Sequence, residues 1–130
     1  MEFNLKPGIS FTATQVVVYE DTAAKYGSGL VEVLATPAMI ALMENAALKA
    51  VYNYLPEGYN TVGFEVNVRH LKPTPIGMKV ECTATLKEVD DKKLIFHVVA
   101  NDEEGKIGEG THTRFIINTK KFMDQYKPEN

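Results

Sequence analysis

Apolar and polar positions along this chain follow two different periods. From Thr36-Pro-Ala-Met-Ile-Ala-Leu-Met-Glu44 onward to Leu55, apolar side chains recur every three to four residues and cover most of the circumference of a helix. Thr36 is expected as its N-cap and Pro37 as its first helical residue, where a fixed φ and a missing N–H do no harm. Pro56 and Gly58 should end it near Leu55. Beyond the helix the period drops to two. Residues 63–70 alternate, with Phe64, Val66, Val68 and His70 on one face and Glu65, Asn67 and Arg69 on the other. Pro73, Pro75 and Gly77 interrupt this strand. Residues 78–89 alternate again, Asp90-Asp91-Lys92 reads as a hairpin tip, and residues 94–101 and 107–118 supply two further strands around a turn at 102–105. Residues 119–127 predict a short terminal helix. Ahead of the long helix, residues 10–20 hold a β-rich run ending in Val16-Val-Val-Tyr19, and residues 21–35 form a connector with a turn of helix and a loop around Gly27-Ser-Gly29. No repeat or internal linker appears, so residues 1–130 are expected to form one α+β domain with a sheet of about five antiparallel strands.

A helix that is apolar over most of its circumference needs more cover than one flat sheet gives. The economical arrangement is a curved antiparallel sheet wrapped around it. Such a sheet has open edges, and pairing with a second copy would protect one of them, so a homodimer is expected, with a tetramer as the next assembly. Strand order does not follow from the pattern.

One residue violates it. Glu44 sits on the helical wheel among Ile40, Ala41, Ala47, Leu48 and Val51, whereas Asn45, Lys49 and Asn53 form a separate polar stripe. A carboxylate on an apolar face loses hydration at a cost of several kcal/mol unless a partner compensates. That makes Glu44 the first candidate for a functional site. An ion pair with Arg69 or Lys49 is the structural alternative.

Composition narrows the classes. The chain is 45% hydrophobic and 24% charged, with a net charge of −3, which suits a soluble globular protein and argues against a nucleic-acid partner. No uncharged apolar run is long enough for a membrane span, and the first residues show no basic-then-apolar leader, so a cytoplasmic location is expected. Cys82, the one cysteine, alternates with Met78, Val80, Ala84 and Leu86 and reads as a small core residue. No His/Cys/Asp spacing suggests a metal, and no glycine-rich phosphate loop is present, so neither a metal nor a cofactor is expected.

Thr36 at the helix start, Glu44 two turns on and His70 at the end of the strand at 63–70 form the candidate constellation. Thr36 and Glu44 stand eight residues apart, roughly 12 Å along the axis, so they cannot touch each other but can line one groove. A histidine can act as base or acid near neutral pH, and a carboxylate on an apolar face can orient it or activate water. Taken singly, a threonine before proline is more often a cap, and a lone histidine on an apolar strand face is more often a satisfied core residue. Gly108 and Gly110, two apart in the last strand, suggest a close backbone or helix approach. Arg114 reads from its position as an ion-paired or solvated strand residue, and His97 and His112 lack ligand spacing.

The segments Thr36-Pro-Ala-Met-Ile-Ala-Leu-Met-Glu44, Gly63-Phe-Glu-Val-Asn-Val-Arg-His70-Leu-Lys-Pro-Thr-Pro-Ile-Gly77 and Ile107-Gly-Glu-Gly-Thr-His-Thr-Arg114 together resemble the hotdog-fold acyl-CoA thioesterases, and among these the fluoroacetyl-CoA thioesterase-like branch. The resemblance covers nearly the whole chain. It implies a hotdog fold, an antiparallel sheet wrapped around one long helix, paired into a dimer with sites at the subunit interface. It implies a catalytic set of Thr36, Glu44 and His70, with Gly63, Phe64 and Arg114 in substrate binding, and an acyl-CoA substrate of small to medium acyl group, with CoA as part of the substrate. The fluoroacetyl-specific enzyme carries a longer, Phe-rich lid between first strand and helix. The connector here contains no Phe, which points to a more general acyl-CoA hydrolase. The alternatives are a non-catalytic acyl-CoA binding module and a hotdog hydratase or dehydratase; the latter has no need of Thr36.

Overall fold

The computed structural model describes residues 3–127. Five antiparallel strands form one sheet: β1 (Ser10–Val16), β2 (Tyr59–His70), β3 (Lys79–Asp90), β4 (Lys93–Asp102) and β5 (Gly105–Asn118), in the spatial order β1-β3-β4-β5-β2. The β3–β4–β5 meander follows from its short turns; the tip between β3 and β4 places Asp91 at φ 56°, a left-handed conformation that aspartate tolerates. β1 and β2 are the two edges.

The long helix α2 (Thr36–Tyr52) buries Ala38, Met39, Leu42, Met43, Ala46, Ala47, Ala50 and Val51 against the inner sheet face. There it meets Val80, Cys82, Ala84 and Leu86 of β3 and Leu94, Phe96, Val98 and Ala100 of β4. Alternation keeps the even-numbered residues Val80–Leu86 of β3 and Leu94–Ala100 of β4 in this core. Cys82 is fully buried, and burial pushes its thiol up to about 12. At Gly108 the helix and β2 come so near that a Cβ would stand 2.6 Å from Met39 Sδ and 2.9 Å from the Arg69 carbonyl oxygen, while a Cβ on Gly110 would collide with the Asn67 carbonyl of β2. Both glycines therefore permit close approach.

Several boundaries differ from the sequence expectation. α2 ends at Tyr52, three residues early, with Asn53 as C-cap. Ala35, extended at φ −70° and ψ 144°, is the N-cap, so Thr36 is already helical and its hydroxyl caps nothing. β1 stops at Val16, and Tyr19–Asp21 is a 3-10 turn. The connector holds the short helix α1 (Ala23–Tyr26) and is tied down on both sides, by a bridge between Thr22 and Leu34 and another between Val33 and Pro75. The terminal helix α3 covers Thr119–Asp124.

The helix packs closer to β1 and β3 than to β2. That offset leaves a strip of α2 unsealed: Ala41 is exposed, and Ile40, Glu44 and Leu48 are only half-buried. On the adjoining edge, residues 63–67 of β2 are all exposed. Among the described residues no helix is long and apolar enough to cross a membrane.

Candidate active site

The sequence candidates fall into two groups. At the start of α2, Thr36 Oγ1 lies 2.8 Å from Nδ1 of His70, the last residue of β2. The hydroxyl that a capping role would have turned to its own helix is thus spent on a ring 34 residues away. His70 Nε2 is buried with no hydrogen-bond partner among the described residues. Burial lowers the pKa of this imidazole from its ordinary 6.5, with the Lys72 backbone opposing, so the neutral ring is favoured. The pair lines a cleft of about 460 Å³ walled by Val31, Val33 and Leu34 of the connector and Leu71 after β2. Beyond the cleft, Asp102 accepts from Thr74 Oγ1 at 3.0 Å and pairs with Lys72 at 3.4 Å, pinning the chain after β2 to the β4–β5 hairpin.

The second group centres on Gly63. A Cβ placed there would begin 3.0 Å from Glu44 Oε2, 3.4 Å from His112 Cε1 and 3.6 Å from Arg114 Nη1. Glu44 is therefore half-buried beside Gly63 and near Arg114, and makes no ion pair with Arg69 or Lys49. Arg114, 7% exposed, is not a solvated strand residue: its Nε donates to Thr61 Oγ1 at 2.8 Å and its Nη2 to the Thr61 carbonyl at 2.9 Å. Burial lowers its pKa and the Glu44 carboxylate opposes that shift. The sequence reading passed over His112, which is 1% exposed and completes this group. A usable signal existed, because His112 and Arg114 share strand parity with the buried Ile116, so both point into the core.

Phe64 does not join either group. The β2–β5 register shifts between Gly63 and Glu65, so Phe64 is an extra, bulged residue. Its ring is 68% exposed and packs edge-on against Phe115 at 5.1 Å. Strict alternation through residues 63–70 had placed it on the face of His70; the bulge removes it.

The chain matches the family described as fluoroacetyl-CoA-specific thioesterase over residues 17–120. This chain belongs to that family. The fluoroacetyl-CoA thioesterase of Streptantibioticus cattleyicolor is 41% identical over 91 residues, which span 70% of this chain and 66% of that protein. A solved structure of the fluoroacetyl-CoA thioesterase FlK superposes with a TM-score of 0.88 at 34% identity, covering 96% of this chain and 99% of that one. A thioesterase-superfamily protein of Thermus thermophilus superposes at 0.86 with 29% identity, covering 93% of this chain and 90% of that one. The wrapped helix is thus the hotdog fold of this family's thioesterases, as the sequence segments implied.

Within this family frame Gly63 is testable on its own. The atom nearest to an added methyl is the end of the flexible Glu44 side chain, so the fold can absorb it while the carboxylate is displaced. Gly63→Ala is expected to unfold at the wild-type temperature yet lose about tenfold in kcat/KM. Full activity in that variant would show that the Glu44–Gly63 contact has no part in turnover.

Proposed function

We propose that this protein hydrolyses acyl-CoA thioesters of small to medium acyl groups to the free acid and CoA, at a site completed between two copies of the chain. The observation that carries the proposal is the hydrogen-bonded Thr36–His70 pair opening into the cleft. A hydroxyl in contact with an imidazole whose neutral form burial favours is a nucleophile–base arrangement. Family membership favours hydrolysis over a binding module or a dehydratase.

Glu44 enters through symmetry. In one chain it lies beside Gly63, seven positions along β2 from His70, roughly 20 Å by strand rise. The exposed β2 edge can pair antiparallel with its own copy about a two-fold between Val66 and Asn67. That register sets Gly63 opposite the partner subunit's His70, so each site takes Thr36 and His70 from one chain and Glu44 from the other. The same pairing covers the unsealed strip of α2 and removes a free sheet edge.

In this site the thioester carbonyl sits over the start of α2, where unpaired N–H groups and the helix dipole favour developing negative charge. His70 Nδ1 takes a proton from a water held by Thr36, whose oxygen attacks the carbonyl, or from Thr36 itself, whose acyl ester a second, His70-activated water then cleaves to the free acid. On either route the imidazolium returns a proton to the departing CoA thiolate. Glu44 of the partner subunit activates or positions the attacking oxygen. The cytoplasm, where CoA esters are made and used, is the proposed place of action.

Thiol release from acetyl-, fluoroacetyl-, butyryl-, octanoyl- and palmitoyl-CoA tests the activity, with turnover expected on the shorter esters. No release from any of them, with acyl-CoA still bound, would replace the hydrolase by a binding module. Mixing inactive Glu44→Gln and His70→Asn proteins tests the shared site: heterodimers carry one intact site and should regain activity, whereas lasting inactivity in a confirmed heterodimer would place all three residues in one chain.

A further inference from the structure

We propose that His112 is a positioning residue of this thioesterase, setting the direction in which Arg114 faces Glu44 and holding the β2 bulge at Phe64 open. The inference rests on the hydrolase reading for its kinetic consequence, and on geometry alone for its structural one.

Two hydrogen bonds define the imidazole. His112 Nδ1 lies 2.8 Å from the Glu65 carbonyl oxygen, which can only accept, so Nδ1 carries the proton. His112 Nε2 lies 3.2 Å from Arg114 Nη1, which can only donate, so Nε2 is bare. The ring is therefore held neutral in a single tautomer. Burial, the largest influence, and the Arg114 charge lower its pKa below 6.5, against the Glu65 carbonyl and the Glu44 carboxylate.

Each bond has a distinct consequence. Glu65 immediately follows the bulged residue, where β2 and β5 lose register. A bulge disrupts the local ladder and leaves backbone groups short of partners; the His112 Nδ1–H engages the carbonyl at that point and so fixes the turn of chain that presents Gly63. On the other side, the Arg114 guanidinium has five N–H groups, and Thr61 engages one on Nε and one on Nη2. His112 engages one on Nη1, which fixes the rotation of the fork. One N–H on each terminal nitrogen is left over, and Nη1 borders the space over Gly63 that Glu44 Oε2 also borders. A planar, bidentate cation is useful there only if its direction is fixed. Among the described residues His112 makes no hydrogen bond to Thr36 or His70.

Three substitutions separate these roles. His112→Phe keeps the ring and loses both bonds. His112→Gln places an amide oxygen near the Nε2 position and can still accept from Arg114. His112→Asn places an amide N–H near Nδ1 and can still serve Glu65. With all variants folded by circular dichroism, His112→Phe should lower kcat about tenfold or more with a smaller change in KM, His112→Gln should recover most of that loss, and His112→Asn should recover the thermal stability but not kcat. In an Arg114→Met background the kcat effect of His112→Phe should vanish. The structural half is read without turnover: the Arg114 Nε–H resonance should be sharp and protected in wild type and His112→Gln, and broadened in His112→Phe. Equal kcat in wild type and His112→Phe, or an unchanged Arg114 resonance across the series, would overturn the proposal. A wild type that hydrolyses no thioester would instead remove the hydrolase reading, and the resonance would still decide the positioning role.

Discussion

Replacing Glu44 with glutamine is expected to lower kcat by about 10²-fold or more, with thermal stability close to wild type. Stability should survive because, among the described residues, no hydrogen bond or ion pair within 4 Å anchors the carboxylate; it lies half-buried next to Gly63 without a committed partner. Glutamine preserves volume and removes only basicity and charge. Single-turnover kinetics on a reactive short-chain acyl-CoA would separate a chemical defect from slow product release. A stable Glu44→Gln protein with wild-type kcat would end the case for this residue as base or nucleophile.

The second large effect belongs to His70. His70→Asn keeps a polar atom near Nδ1 for Thr36 but cannot carry a proton through its side chain, so kcat should fall by about 10²- to 10⁴-fold. The wild-type pH profile follows from the direction of the shift. His70 must be neutral to accept a proton, and burial disfavours the charged ring, so its pKa lies below 6.5. Activity should therefore persist as pH falls past 6.5 and drop only at more acidic values, where imidazolium forms. His70→Asn should lack that acid limb. A wild-type limb centred at or above 6.5 would contradict the burial argument.

Local pattern made much of this molecule readable, and non-local pairing hid the rest. The helix and the β3–β4–β5 meander were legible because their apolar periods are regular and their turns short. Glu44 was legible because one charge broke the helical pattern, and His70 because strand alternation placed it inward. At Thr36 the expected cap does not form and the hydroxyl meets His70 instead: a cap and a partner for His70 are both threonine before proline, and only the fold brings residue 70 to residue 36. His112 was missed for a related reason. Parity within β5 marks it as inward-facing, but the role proposed for it depends on β2 lying beside β5 in a register that sets Arg114 opposite Gly63 and His112 opposite Val66, and no periodicity within β5 contains that register. The bulge had the opposite effect, making Phe64 look inward by counting when the extra residue turns it away.

Cys82 has a practical meaning for a protein whose proposed product is a free thiol. Its sulfur is fully enclosed and burial holds the thiol near 12, so at assay pH it supplies neither an accessible nucleophile nor a thiolate. Colour from a thiol-reactive dye added to the native protein therefore reports released CoA, without a protein background. The same enclosure prevents mixed-disulfide formation between the protein and oxidised CoA, so shifts in the redox state of the surrounding CoA pool leave the folded chain covalently unchanged.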